Sequence, residues 1–166
     1  MEAWHDFYVL GGTAGVTLTG LLFVVMSLRP RVAAETQVTG VRSFISPNAV
    51  YFTTALVVST VFLVPALPAI VIGLFLCVGA AASLGYLGYT KAHQRWRQSN
   101  LPLMDWIWYV GLPIAAYVVL LLSGIGVLMQ ASLSMYGVAG ALIFLLVIGI
   151  RNAWDLVIWI SQQAPK

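Results

Sequence analysis

Charge is what this sequence has least of. Only 8% of its 166 residues are charged against 61% hydrophobic, and the mean hydropathy is +0.95, so polar surface is far too scarce to cover a water-soluble globule of this size. The chain reads as an integral membrane protein. The formal charge is +3, but the eight basic residues occur in a few places rather than along one face, which is not the pattern of a nucleic-acid binder. Cysteine is nearly absent as well. Cys77 stands alone in an apolar run, which excludes an intrachain disulfide and leaves the redox compartment unread. No Asp, Glu or Lys lies centrally in the first four apolar runs, which removes the usual relay of a proton-coupled pump. Nucleophile–base pairs, phosphate loops and zinc spacings are missing too. The expectation is a non-enzymatic protein with no metal and no cofactor.

What is there is a succession of apolar runs over about 7–28, 47–64, 69–90, 105–129 and 135–160. Each is long enough to cross a hydrocarbon core of roughly 30 Å as a helix. The expected fold is all-α: one polytopic transmembrane domain over residues 1–166, with five membrane-spanning helices. The first run is preceded by Glu2 and Asp6 where a signal peptide would be basic, so it is expected to be a retained span. Arg29-Pro30-Arg31 ends it. Residues 32–46 suggest a short interfacial helix, with Val38, Val41 and Ile45 opposite Glu35, Thr39 and Arg42. Ser46-Pro47 then reads as an N-cap followed by proline at the first helical position. Pro65-Ala66-Leu67-Pro68 is a tight reversal, and Gly111 with Pro113 predicts a kink after the interfacial aromatics Trp106, Trp108 and Tyr109.

Small residues recur at helical spacing in two runs. Gly11, Gly15 and Thr19 fall four apart in the first, and Gly73, Cys77, Ala81 and Gly85 do so in the third. Such ladders let two helices approach closely in lipid. The third run leads into Lys91, Arg95, Trp96 and Arg97, a basic segment suited to anionic head groups. If the loop after the first run is cytoplasmic, five spans place Arg29, Arg31, Arg42, Lys91, Arg95, Arg97, Arg151 and Lys166 all on the inner side. The positive-inside rule then puts the amino terminus outside and the carboxyl terminus in the cytoplasm.

Only the last run carries charge within it: Arg151, Asn152 and Asp155 beside Trp154. Arg151 and Asp155 are four apart and share a helix face, so they can pair. Asp105, at the inner start of the fourth run, is the other carboxylate within reach. The candidate site is therefore a cluster of Arg151, Asn152, Asp155 and Asp105 at the inner mouth of the bundle. Two readings stand side by side. An ionisable group inside the membrane marks function, whereas an arginine near a span's end snorkels into head groups. Weaker candidates are His5 with Asp6, whose adjacency is not metal-ligand spacing, and the polar groups Asn48, Thr53, Thr54, Ser59 and Thr60 of the second run, which line a pore or bond to nearby backbone.

Trp4-His5-Asp6-Phe7, Thr19-Gly20-Leu21-Leu22-Phe23-Val24, Ser46-Pro47-Asn48 and Arg151-Asn152-Ala153-Trp154-Asp155 resemble motifs of small uncharacterised bacterial multi-span membrane proteins. Some of these are loosely labelled modulators of an ATP-dependent membrane protease. The resemblance implies a bacterial inner membrane and a regulatory partner rather than a catalyst. With the ladders it leads to one expectation, a membrane scaffold or accessory subunit that contacts the lipid bilayer and associates with itself or another membrane protein. The other expectation is a small homo-oligomeric channel or transporter using the Arg151 and Asp155 cluster.

Overall fold

The computed structural model describes residues 4–27, 41–95 and 107–162. Its elements are α1 (His5–Ser27), α2 (Val41–Leu63), α3 (Ala69–Arg95), a π-helical turn (Ile107–Gly111) that runs straight into α4 (Leu112–Leu128), and α5 (Ser134–Gln162). The chain is an all-helical polytopic membrane bundle. Among the described residues, four stretches are long and apolar enough to cross a bilayer: His5–Val25, Ala69–Tyr89, Ile107–Leu128 and Ser134–Asp155. The described apolar part of α2, Pro47–Leu63, is shorter.

One sequence expectation fails here. Pro47 does not open the second helix, which begins at Val41 and carries Pro47 inside it. The missing N–H leaves the carbonyl of Ser43 without its helical donor, a single lost bond that membrane helices tolerate. Residues 41–46 of the expected interfacial helix are thus the first turns of α2, and residues 32–40 lie outside the described residues. The other proline signal is close to expectation. Pro113 sits in the first turn of α4, where it cannot donate to the Tyr109 carbonyl and its ring crowds that oxygen. The turn immediately before it winds wider, as the π-helix Ile107–Gly111.

Packing follows the glycines. A Cβ on Gly15 would lie 2.8 Å from the Phe52 carbonyl oxygen and 2.9 Å from the Leu56 nitrogen, so α1 and α2 meet backbone to backbone there. Between α3 and α4, a Cβ on Gly124 would lie 2.9 Å from both the Cys77 Sγ and the Leu76 Cβ. Ser123 fills the space over Gly137 to join α4 to α5, and the Phe52 ring fills that over Gly149 to join α2 to α5. The helices therefore connect in the order α1, α2, α5, α4, α3, while α2 and α3, although consecutive, touch only sparsely. Tyr51, Tyr117, Leu142, Leu145 and Ile148 lie at the centre and are almost wholly buried. In lipid such packing, rather than escape from water, supplies the association energy between helices.

Two turns carry strain. Ala66 and Gln130 both have φ of 57°, in the left-handed region that costs a side chain roughly 1–2 kcal/mol. Gln130 ends α4 in a Schellman arrangement: the Ala131 N–H donates to the Gly126 carbonyl at 2.8 Å and the Gln130 N–H to the Val127 carbonyl at 3.1 Å.

Candidate functional site

The π-helical turn decides the geometry around Arg151. It presents Trp108 and Tyr109, neighbours in sequence, to the last third of α5. The Arg151 guanidinium carbon lies 4.0 Å from the centre of the Trp108 ring, a cation–π contact. Tyr109 donates its hydroxyl proton to Asp155 Oδ2 at 2.8 Å, a charge-assisted bond. Arg151 and Asp155 therefore take separate aromatic partners on α4's approach. Arg151 remains exposed and Asp155 half-buried, and both lie in the final turns of the apolar stretch Ser134–Asp155.

Asn152 turns the other way. Its residue is 3% exposed, and its Oδ1 is buried without a hydrogen-bond partner among the described residues. Asn48 on α2 is fully buried, with neither Oδ1 nor Nδ2 partnered among the described residues, and the Tyr51 hydroxyl one turn along is in the same condition. Gly149 on α5 faces Phe52 on α2, and the far ends of these helices meet through Tyr8, stacked on Phe62 at 4.3 Å and donating to the Met135 Sδ at 3.9 Å. The two helices are thus antiparallel. Asn48, one turn before Phe52, and Asn152, one turn after Gly149, consequently fall at the same depth. An amide left unpaired at such a position is costly, at about 1–3 kcal/mol per group.

Farther along α2, Thr54 and Thr60 are satisfied. Thr54 Oγ1 donates to the Val50 carbonyl at 2.8 Å and shares a 3.0 Å hydrogen bond with the Tyr117 hydroxyl. Thr60 Oγ1 donates to the Leu56 carbonyl at 2.9 Å. Ser59 Oγ is buried without a partner among the described residues, wedged against Gly11 and Gly12. Thr53 is exposed.

The sequence candidates are thus partly reassembled. Arg151, Asn152 and Asp155 are on one helix but face different surroundings, and Asp105 and Trp106 lie outside the described residues. So do Trp96 and Arg97, while Lys91 and Arg95 are described only as backbone of α3. Gly11 and Gly15 pack on α2, and Thr19 Oγ1 donates to the Gly15 carbonyl at 2.8 Å. The ladder of α3 divides. A Cβ on Gly73 would run into Leu128, and the Cys77 thiol points to the Leu121 carbonyl at 3.9 Å, both on α4. Ala81 and Gly85 are exposed, and a Cβ on Gly85 would meet nothing within 4 Å.

His5 and Asp6 are exposed at the opposite end of the bundle from Arg151, beside Trp4, whose ring meets Tyr136 edge-on at 4.9 Å. Among the described residues there is no group of three His, Cys, Asp or Glu side chains placed to hold a metal ion. What the Arg151 site offers chemically is a fixed, exposed cation beside a hydrogen-bonded carboxylate. That arrangement can recognise an anion or a head group.

Sequence reasoning did not identify Trp108 and Tyr109 as partners of the charged pair. They were legible only as interfacial aromatics, and the spacing to Pro113 was the signal that the turn between would be irregular. Comparisons with protein-family models, with curated proteins and with solved structures find no match for this chain.

Proposed function

We propose that this protein is a non-enzymatic membrane scaffold or accessory subunit that binds a partner helix on the outer face of α3. One observation carries the reading. Ala81, Gly85 and Gly88 are all exposed, and a Cβ on Gly85 or Gly88 would meet nothing within 4 Å, so a small-residue face remains after α4 has taken the Gly73 and Cys77 part of the same helix. In lipid a face of this kind admits another backbone at close range. The partner is a second copy of the chain or another membrane protein with a regulatory relation to it.

The reading takes α2 as a fifth span, since Pro47–Leu63 with the preceding turns of the same helix reaches the required length. It takes the amino terminus as outside and the carboxyl terminus as cytoplasmic by the positive-inside rule, in a bacterial inner membrane. The test is the size of the assembly in lipid nanodiscs or native membranes. Gly85→Leu and Gly88→Leu should release the partner while leaving the monomer's thermal stability unchanged. Retention of the same assembly by both variants would reject the reading.

A second reading, a small homo-oligomeric channel or transporter, rests on Arg151. Its guanidinium is exposed and held in place by Trp108, so copies assembled with this side inward would share a ring of fixed cations. Ion flux into liposomes, abolished by Arg151→Ala, supports that reading. Absence of flux for the wild type across varied anions and pH removes it.

A further inference from the structure

Near the Arg151 end of the bundle, Asn48 Oδ1 and Nδ2, the Tyr51 hydroxyl and Asn152 Oδ1 are buried without a hydrogen-bond partner among the described residues. Asn48 and Tyr51 are 0% exposed and Asn152 is 3% exposed. The packing of Phe52 over Gly149 places these groups together. Asn48 lies four residues before Phe52, and Asn152 three after Gly149. On antiparallel helices both amides therefore fall about one turn, roughly 5 Å, beyond that contact, on the faces that α2 and α5 turn to each other. Tyr51 is three residues from Asn48, on the same side of α2. The Tyr117 ring lies 6.3 Å from that of Tyr51, and its hydroxyl is bonded to Thr54 at 3.0 Å. The two amides share a depth and an interface but do not bond to each other. Their hydrogen bonds fall to a third group.

The balance of donors and acceptors decides what that group is. Asn48 brings an amide oxygen and an NH₂, Asn152 an amide oxygen, and Tyr51 a hydroxyl that donates or accepts. A cation would turn to the oxygens and leave Asn48 Nδ2 without an acceptor. An anion would turn to Nδ2 and the hydroxyl and leave both amide oxygens without a donor. Water donates and accepts at one atom, and a buried water makes about three hydrogen bonds to groups that otherwise lack them. Its way in is short. Asn152 lies three residues before the end of the apolar stretch Ser134–Asp155, and Asn48 is the second residue of the stretch Pro47–Leu63. We infer that Asn48, Tyr51 and Asn152 form a buried water site between α2 and α5, in which water bridges the two amides and reaches inward as far as the Tyr51 hydroxyl. Arg151, exposed over Trp108, stands outside this site. Neither the partner face of α3 nor the channel reading is needed for it.

The experiment is X-ray radiolytic labelling of the full chain in lipid nanodiscs made up in ¹⁸O water, where hydroxyl radicals arise from bound water and mark the side chains beside it. Three tyrosines are compared by mass spectrometry. Tyr51 should take up ¹⁸O at a rate like that of Tyr136, which is 67% exposed, although Tyr51 is 0% exposed. Tyr117, equally buried and with its hydroxyl bonded to Thr54, should stay unlabelled. A Tyr51 as silent as Tyr117 overturns the proposal, and this comparison needs only the wild type. Replacing Asn48 and Asn152 together by Leu removes the amides at similar volume and should abolish labelling of Tyr51. Labelling of Tyr51 that persists in that variant, with Tyr117 still silent, overturns the amides as the site. A melting temperature that rises with Na⁺ or with chloride at constant ionic strength in the wild type, but not in Asn152→Leu, gives the site to an ion and likewise overturns the proposal.

Discussion

The Arg151 guanidinium carbon lies 4.0 Å from the centre of the Trp108 ring, while the carboxylate four residues on, Asp155, accepts a 2.8 Å hydrogen bond from the adjacent Tyr109. Two consecutive residues of one π-helical turn thus fasten two charged residues of α5. A regular α-helix sets consecutive side chains about 100° apart. Trp108 and Tyr109 nonetheless both reach α5, one at Arg151 and the other at Asp155.

Breaking these contacts should have measurable and separable effects. Trp108→Leu should lower unfolding stability by about 1 kcal/mol, the range for a partly exposed cation–π contact. A double-mutant cycle with Arg151→Gln should recover a coupling of the same order. Additive losses would mean that the two side chains do not interact in the bilayer. The corresponding cycle of Tyr109→Phe with Asp155→Asn should give a coupling of about 1 kcal/mol.

At the backbone contact between α1 and α2, even a methyl group is too large. Gly15→Ala would place a Cβ 2.8 Å from the Phe52 carbonyl oxygen and should cost about 1–3 kcal/mol by forcing the helices apart. Gly20→Ala on the same helix, with nothing within 4 Å, should be neutral or slightly stabilising. Thermal unfolding of both variants in one detergent checks the contrast, and equal stability would place the contact elsewhere.

A bulkier group in the α3–α4 seam should act similarly. Cys77 lies against Gly124 and the Leu121 carbonyl, so Cys77→Leu should lower the melting temperature through overpacking. An unchanged value would contradict the seam.

Relief of backbone strain should raise stability. Gln130 occupies the left-handed position of the Schellman turn after α4, where glycine is the usual residue. Gln130→Gly should therefore gain about 1 kcal/mol, read as a raised melting temperature.

Much of the helical layout was legible because apolar run length and the prolines act locally. Pro65 and Pro68 separate α2 from α3, and the run expected at 69–90 is α3, lengthened by the basic segment as far as Arg95. Pro47 misled because an N-terminal proline and a tolerated internal one look alike in sequence. The α3 ladder divides between two surroundings for a geometric reason. Steps of four residues advance about 40° beyond a full turn, so a ladder that starts in the α4 seam at Gly73 has rotated about 120° by Gly85. Sequence spacing records that small residues recur; it does not record where a straight neighbour stops following them. The partners of Arg151 and Asp155 were hidden because they lie more than 40 residues away in sequence, and helical spacing records only neighbours on the same helix.

The free face of α3 is the centre of the functional account, and the most direct measurement is photo-crosslinking from residue 85 in native membranes. A photoreactive side chain there should trap a protein of defined mass, either a second copy of this chain or one other membrane protein. Adducts with lipid alone would contradict the account.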